Sequence, residues 1–194
     1  PCGSDPVWAL PPGQWRGAHG PIVLCWRPTP LLTTEAWQPL LSALDSLVKA
    51  EPREVLWVPF HQHQDQGLLA DLQRRGLISP ELAARSREQP VSTVEEAQAL
   101  FTGAGLVVAM RLHGLILAAL SGSPCAALSY DPKVSAAAAA IGCPCSDLAQ
   151  PLQAISLVAS WQQQIDQGPD PTTVAALRQN TATHHDLLQR FCER

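Results

Sequence analysis

The sequence predicts an α/β domain, a parallel sheet with helices packed on both faces. Three observations predict it. Short, almost wholly apolar runs recur along the chain, as strands buried on both faces require. Segments with apolar residues at helical spacing alternate with them. The joins are short, so consecutive strands are expected to run parallel. The chain's 194 residues suffice for one sizeable core. Hydrophobic residues make up 46% and charged residues 15%, which excludes a disordered chain.

The first 20 residues, "PCGSDPVWALPPGQWRGAHG", lack the basic start and apolar centre of a signal peptide. They read as a linker rich in Pro and Gly, leading from another domain into the domain at 21–194. The only methionine is Met110, so the chain is expected to be part of a longer protein. Residues 22–26, "IVLCW", form the first predicted strand. A helix follows in "TTEAWQPLLSALDSLVKA", with Thr33 or Thr34 as its cap. Pro39 is compatible with it only near the first turn. Residues 54–58, "EVLWV", make the second strand, ended by Pro59. "QDQGLLADLQRRG" reads as one helix closed by Gly76. Residues 77–89 carry no legible pattern.

In "STVEEAQALFTGAG", Thr93 and Glu96 have capping-box spacing, and Gly103 is a stop. Residues 106–110, "LVVAM", are the next strand. "HGLILAALSG" is a helix apolar nearly all round, which must be covered on most sides. "PCAALSY" is a further strand. "DPKVSAAAAAIG" is a helix with Asp131 as cap, Pro132 in its first position and Gly142 past its end. Two helices finish the chain, at about 147–167 and 171–193, the second capped by Asp170.

Several classes are excluded. The net charge is -4 and no basic stripe occurs, so nucleic acid is not an expected partner. No apolar run approaches the ~20 residues of a membrane span. No G-x-G-x-x-G, Walker-type loop or G-x-S-x-G is present. Of the six cysteines, Cys25 and Cys125 lie in apolar runs, where a free thiol packs as a small hydrophobe. Cys143 and Cys145 form C-P-C without a second pair, a weak metal signal. With Cys2 and Cys192 they read as structural or incidental cysteines of a reducing cytosol.

Polar residues stand at the seams. Arg27 follows the first strand, His61 the second, Arg111 and His113 the third, Tyr130 and Asp131 the fourth. In a parallel sheet all of these reach the carboxyl-end rim, where ligands bind. Arg111 stands where a helix begins, and a helix start favours an anion. A guanidinium there grips carboxylate or phosphate through two bonds, while His113 can carry a proton near neutral pH. Blander roles stand beside these: Arg111 paired with a carboxylate at the edge of the core, His113 and Asp131 as helix caps, Tyr130 as packing. His61 and His63 in "HQHQD" lack a third metal ligand and read as a solvated loop. His184 and His185 read as surface positions of the last helix.

The stretch "MRLHGLILAALSGSPCAALSYDPKV" resembles the hallmark of the polysaccharide pyruvyl transferases of CsaB type. Arg111, Leu112 and His113 match its first block, and Ser129 to Val134 its second. "IVLCWRPTP" and "VPFHQHQD" resemble its upstream parts more loosely, and Gly114 replaces the more usual alanine. The resemblance implies a Rossmann-like sheet, the C-terminal, donor-binding half of a two-domain transferase of GT-B type. It implies transfer of the pyruvyl unit of phosphoenolpyruvate to a sugar or lipid-linked saccharide, making a pyruvate ketal and releasing phosphate. The implied site is His113 as the acid, with Arg111, Leu112, Arg27, Tyr130 and Asp131 binding substrate. No metal or organic cofactor is implied. The expected setting is the cytoplasm, with the inner face of the membrane as an alternative, in cell-surface polysaccharide synthesis. A nucleotide-sugar glycosyltransferase of the same shape and a non-catalytic binding domain are the rival expectations.

Overall fold

A computed structural model describes residues 5–168 and 170–192, apart from the side chains of Gln62 and of 182–192. Among the described residues six strands form one sheet: β1 (Ile22–Cys25), β2 (Val55–Trp57), β3 (Ser86–Glu88), β4 (Leu106–Ala109), β5 (Cys125–Ser129) and β6 (Cys145–Asp147). Every pairing is parallel, and the order is β3-β2-β1-β4-β5-β6. This is the doubly wound order, in which the winding reverses between β1 and β4. Those two strands pair in register, Ile22 with Leu106 through Cys25 with Ala109.

Alternation along the buried strands sorts the core into two layers. Ile22, Leu24, Trp57 and Val108 face one side, with Trp37, Leu40 and Leu44 of α1 (Thr34–Ala50) and Leu157 and Trp161 of α8 (Ala154–Gln167). Val23, Cys25, Val107 and Ala127 face the other, with Phe101 of α5 (Val94–Thr102), Ile116 of α6 (Leu112–Leu120) and Val134 of α7 (Pro132–Ile141). The predicted parallel sheet with helices on both faces is what the chain forms.

Local chemistry places most helix ends where expected. Thr33, Thr93 and Asp131 cap α1, α5 and α7 through their side-chain oxygens. Gly142 closes α7 with φ 79°, in the left-handed region that glycine enters at no steric cost. Pro39 corrects an expectation: it lies inside α1, beyond the first turn. The bond it forgoes would have gone to the carbonyl of Glu35, an exposed residue whose C=O water can satisfy.

Other differences have physical reasons. The helix predicted through Gly67 is two helices, α2 (Gln62–Asp65) and α3 (Leu68–Arg74), because Gly67 takes φ 79°. The stretch without pattern holds α4 (Pro80–Arg85), capped by Ser79, and then β3. Strands β3 and β6 are polar, three-residue edges with no apolar run to announce them. Because β6 occupies 145–147, α8 begins at Ala154 and not at 147. The last helix, α9, spans Pro171–Cys192. Residue Cys2 and the side chains of His184, His185 and Cys192 lie outside the described residues.

Residues 5–20 pack along the domain. Asp5 caps a short 3-10 helix, Pro6–Ala9, whose Trp8 is buried. The chain then runs down α6, with the Gly13 N–H on the Leu120 carbonyl at 2.9 Å and the Trp15 Nε1–H on the Ala104 carbonyl at 2.7 Å. This strand of chain, with α5, α7 and the sheet, supplies the cover that an all-apolar α6 demands. At the amino-end rim the buried Arg53 donates to the carbonyls of Gly20 (2.9 Å) and Ala18 (3.3 Å) and to Glu51 (2.7 Å). Hydrogen bonds from His19 and Arg53 hold the Glu51 carboxyl below its usual range. No described helix is long and apolar enough to cross a membrane.

Candidate functional site at the carboxyl-end rim

The site stands where the strand order reverses. Arg27 and Arg111 each lie two residues beyond the last β1–β4 pair, Cys25 with Ala109. The Met110 N–H donates to the Cys25 carbonyl at 3.0 Å, carrying the pairing past the strand ends. Tyr130 follows β5 directly. All six residues read from the sequence are therefore on one rim.

Arg27 lies over the ring of Tyr130, its guanidinium carbon 5.3 Å from the centroid. Its Nη1–H donates to the Tyr130 hydroxyl at 3.2 Å and its Nε–H to the Pro28 carbonyl at 3.2 Å. The stack fixes the plane of a guanidinium that would otherwise sweep the rim.

Arg111 meets Asp65, the last residue of the "VPFHQHQD" stretch, to which the sequence reading gave no role at the site. Its Nε–H donates to Asp65 Oδ2 at 3.0 Å and its Nη2–H to Asp65 Oδ1 at 2.5 Å, with Gln64 Oε1 at 3.0 Å from Nη2. The Asp65 side chain is fully buried, whereas that of Arg111 is 16% exposed. Asp65 Oδ2 also accepts the His61 N–H at 2.8 Å. Its charge, after burial itself, helps to push the Cys25 thiol far up. Asp65 ends the "HQHQD" stretch, and nothing in local spacing distinguishes it from a solvated acid. Beside it a small cavity touches Trp26, Trp57 and Glu88, and both indole Nε1–H groups are buried without a hydrogen-bond partner.

His113 stands in the first turn of α6, 57% exposed, with Nε2 3.3 Å from Asp5 Oδ2. Asp5 Oδ1 is itself held by the Val7 N–H at 3.0 Å. Asp5 is a second residue the sequence reading missed. Its only local signal is the Asp-Pro step of a helix start. His113 also lines a pocket of about 220 Å³ with Val7, Phe60, Thr93, Val94 and Leu117. Leu112 is half-buried and packs on the α6 side of the core. Asp131 caps α7, accepting the Lys133 N–H at 2.9 Å.

No side chain caps α6, in contrast to α1, α5 and α7. Its first-turn N–H groups therefore face the rim with the positive end of the helix dipole. Gly114 lies against β1. A Cβ there would stand 3.2 Å from Cys25 Cβ and 3.3 Å from Cys25 Sγ. His61 and His63 lie on the α2 side of the rim with ring centroids 6.3 Å apart. Among the described residues no group of three His, Cys, Asp or Glu side chains is placed to hold a metal ion.

Comparison with known proteins adds the following. The family model described as polysaccharide pyruvyl transferase matches residues 2–132, more than half of the chain. No curated protein matches the sequence. Among solved structures, the chain is similar to the glycotransferase of kitacinnamycin, with TM-score 0.55 and 17% identity over 92% of this chain and 45% of that one. It is also similar to sucrose-phosphate synthase from Thermosynechococcus elongatus, with TM-score 0.49 and 16% identity over 93% of this chain and 45% of that one. The chain thus spans less than half the length of either structure. The first likeness shows a shared fold.

Proposed function

Since this chain belongs to the polysaccharide pyruvyl transferase family, we propose that it forms the donor-binding part of an enzyme that moves the pyruvyl unit of phosphoenolpyruvate onto a sugar. One observation carries the reading. Arg27 and Arg111 follow the neighbouring strands β1 and β4 at the switch point of the sheet, and Arg111 immediately precedes the uncapped start of α6. A small molecule with both a phosphate and a carboxylate suits two guanidinium groups and a helix start.

In this reading the first-turn N–H groups of α6, starting at Leu112, and Arg111 hold the phosphate. Arg111 keeps its Nη1 clear of protein hydrogen bonds among the described residues. Arg27, held flat by Tyr130, takes the carboxylate. Asp131 orders the rim by capping α7. With Nε2 turned to Asp5, His113 has Nδ1 left for substrate. Imidazolium gives its proton to the methylene carbon, which becomes the methyl group. The neighbouring carbon gains positive character, and a sugar hydroxyl adds to it. The carbon–oxygen bond to phosphate then breaks, and a second hydroxyl adds to close the ketal. Of the two hydroxyl protons released, one returns to His113 and the other leaves on phosphate. A positioned acid of this kind contributes ~10²–10⁴-fold. We place the acceptor, a sugar or lipid-linked saccharide, mainly outside the span of this chain.

The test has two arms. Phosphoenolpyruvate is expected to raise the melting temperature of the chain, and UDP-glucose to leave it unchanged. In the full-length protein, His113→Asn is expected to lower phosphate release from phosphoenolpyruvate by ~10²–10⁴-fold. Stabilisation by UDP-glucose alone would favour the nucleotide-sugar glycosyltransferase. Undiminished turnover in the His113 variant would remove the acid from its role.

A further inference from the structure

We propose that Asp65 is a positioning residue of the donor site, holding the Arg111 guanidinium in one orientation at the switch point of the sheet; this rests on the phosphoenolpyruvate reading above. The contact is built from both sides. Pro59 follows closely after β2, and the four-residue α2 turns the chain so that its last residue points inward. The Asp65 side chain is wholly buried and spends both oxygens on N–H donors: His61 N–H at 2.8 Å and Arg111 Nε–H at 3.0 Å on Oδ2, and Arg111 Nη2–H at 2.5 Å on Oδ1. Gln64 adds a second acceptor at Nη2. Three of the guanidinium's N–H groups are thereby engaged, and the two on Nη1 are left at the rim.

The pair also spans the site. Asp65 belongs to the connection after β2 and Arg111 to the turn after β4, and β1 lies between those strands. The bridge therefore ties together the two connections that flank Arg27. Burying two charges is costly, and an apolar pair of similar size is often at least as stable. A stability role alone gives no account of why the arginine end stays 16% exposed beside an uncapped helix start. An aimed guanidinium with its Nη1 group left free is suited to hold an anion, because a long, freely turning side chain would lose much of its order on each binding event.

The experiment uses the 194-residue chain, titrated with phosphoenolpyruvate and observed through the arginine Nε–Hε resonances, Arg111 being assigned by its loss in Arg111→Lys. In the unsubstituted chain the Arg111 resonance is expected to be shifted and slow to exchange. In Asp65→Asn it is expected to join the solvent-exchanging arginines while the Kd for phosphoenolpyruvate rises ~10–100-fold. Loss of the resonance with unchanged or tighter donor binding overturns the proposal, because Asp65 would then be structural or would compete with the donor. Should Asp65→Asn not fold, Asp65→Glu keeps the charge but displaces the guanidinium. A Kd raised at least about threefold, with the resonance retained, supports positioning, and an unchanged Kd overturns it. If the unsubstituted chain binds no phosphoenolpyruvate while its Arg111 resonance still depends on Asp65, the donor reading fails and takes this role with it, though the orienting contact stands.

Discussion

Arg27 lies across Tyr130, its guanidinium carbon 5.3 Å above the ring and its Nη1–H on the phenol oxygen at 3.2 Å. The two residues come from the turns after β1 and β5, 103 positions apart, with β4 between their strands. The stack and the hydrogen bond test separately. Tyr130→Phe keeps the stacked face and removes the acceptor, so donor affinity is expected to fall only a few-fold, as for one part-buried hydrogen bond of about 1 kcal/mol. Arg27→Lys loses the plane, the fork and the stack together, and a loss of ~10-fold or more is expected. Calorimetric titration with phosphoenolpyruvate measures both. Equal affinity in the lysine variant would show that Arg27 takes no part in holding the donor.

A methyl group at position 20 has nowhere to go. A Cβ on Gly20 would stand 1.9 Å from the Gly103 carbonyl oxygen, which is backbone and cannot swing aside. Gly20→Ala is therefore expected to destabilise the chain by about 1–3 kcal/mol or more. Gly76→Ala is the control, since a Cβ there meets nothing within 4 Å and only the positive φ of 67° resists it. Urea unfolding of the two variants checks the order; a Gly20 variant no weaker than the Gly76 variant would mean that the turn at 17–20 yields freely.

Gly114 and Cys25 are expected to be coupled. Gly114→Ala adds helix propensity of about 1 kcal/mol but presses a methyl into Cys25 at 3.2–3.3 Å. Cys25→Ala removes the sulfur that is pressed. In a double-mutant cycle the alanine at 114 is expected to be better tolerated in the Cys25→Ala background, with an interaction of about 0.5–3 kcal/mol. Strict additivity would say that the first turn of α6 can lift from β1.

Alkali should weaken the fold through two buried thiols. Burial, and then the charge of Asp65, pushes Cys25 far above its ordinary value of 9.0. The hydrogen bond with Cys143, and then burial, pushes Cys125 well above the same value. Both folded-state pKa values thus exceed those of the unfolded chain. The folded form holds its protons longer, so the stabilisation is complete below about pH 9 and is lost as the pH rises beyond it. Each thiol steepens the loss by up to about 1.4 kcal/mol per pH unit. Urea midpoints between about pH 8 and 10.5 measure the slope. Cys25→Ala and Cys125→Ala are each expected to flatten it, and identical slopes in all three chains would contradict the assignment.

Much of the carboxyl-end rim could be read in advance because its placement is local. The apolar runs at 22–25, 55–57, 106–109 and 125–129 are buried on both faces, so each announces itself as a strand. Parallel strands must deliver the residues that follow them to the same rim. Arg27, Arg111, His113, Tyr130 and Asp131 were therefore placed by residue order alone. The edges were not legible: Ser86–Glu88 and Cys145–Asp147 are strands only because β2 and β5 offer them open backbone groups.

What the sequence determined unaided, then, is the alternation of strand and helix, the caps at Thr33, Thr93 and Asp131, and the rim on which the arginines stand. Each of these depends on side-chain chemistry within a few residues. What only tertiary structure decided is whom those residues meet: Asp65 for Arg111 across 46 positions, Asp5 for His113 across 108, and residues 5–20 as the cover of α6. A buried carboxylate and a solvated one are spelled alike in sequence. The difference between them is made by what the folded chain excludes from water.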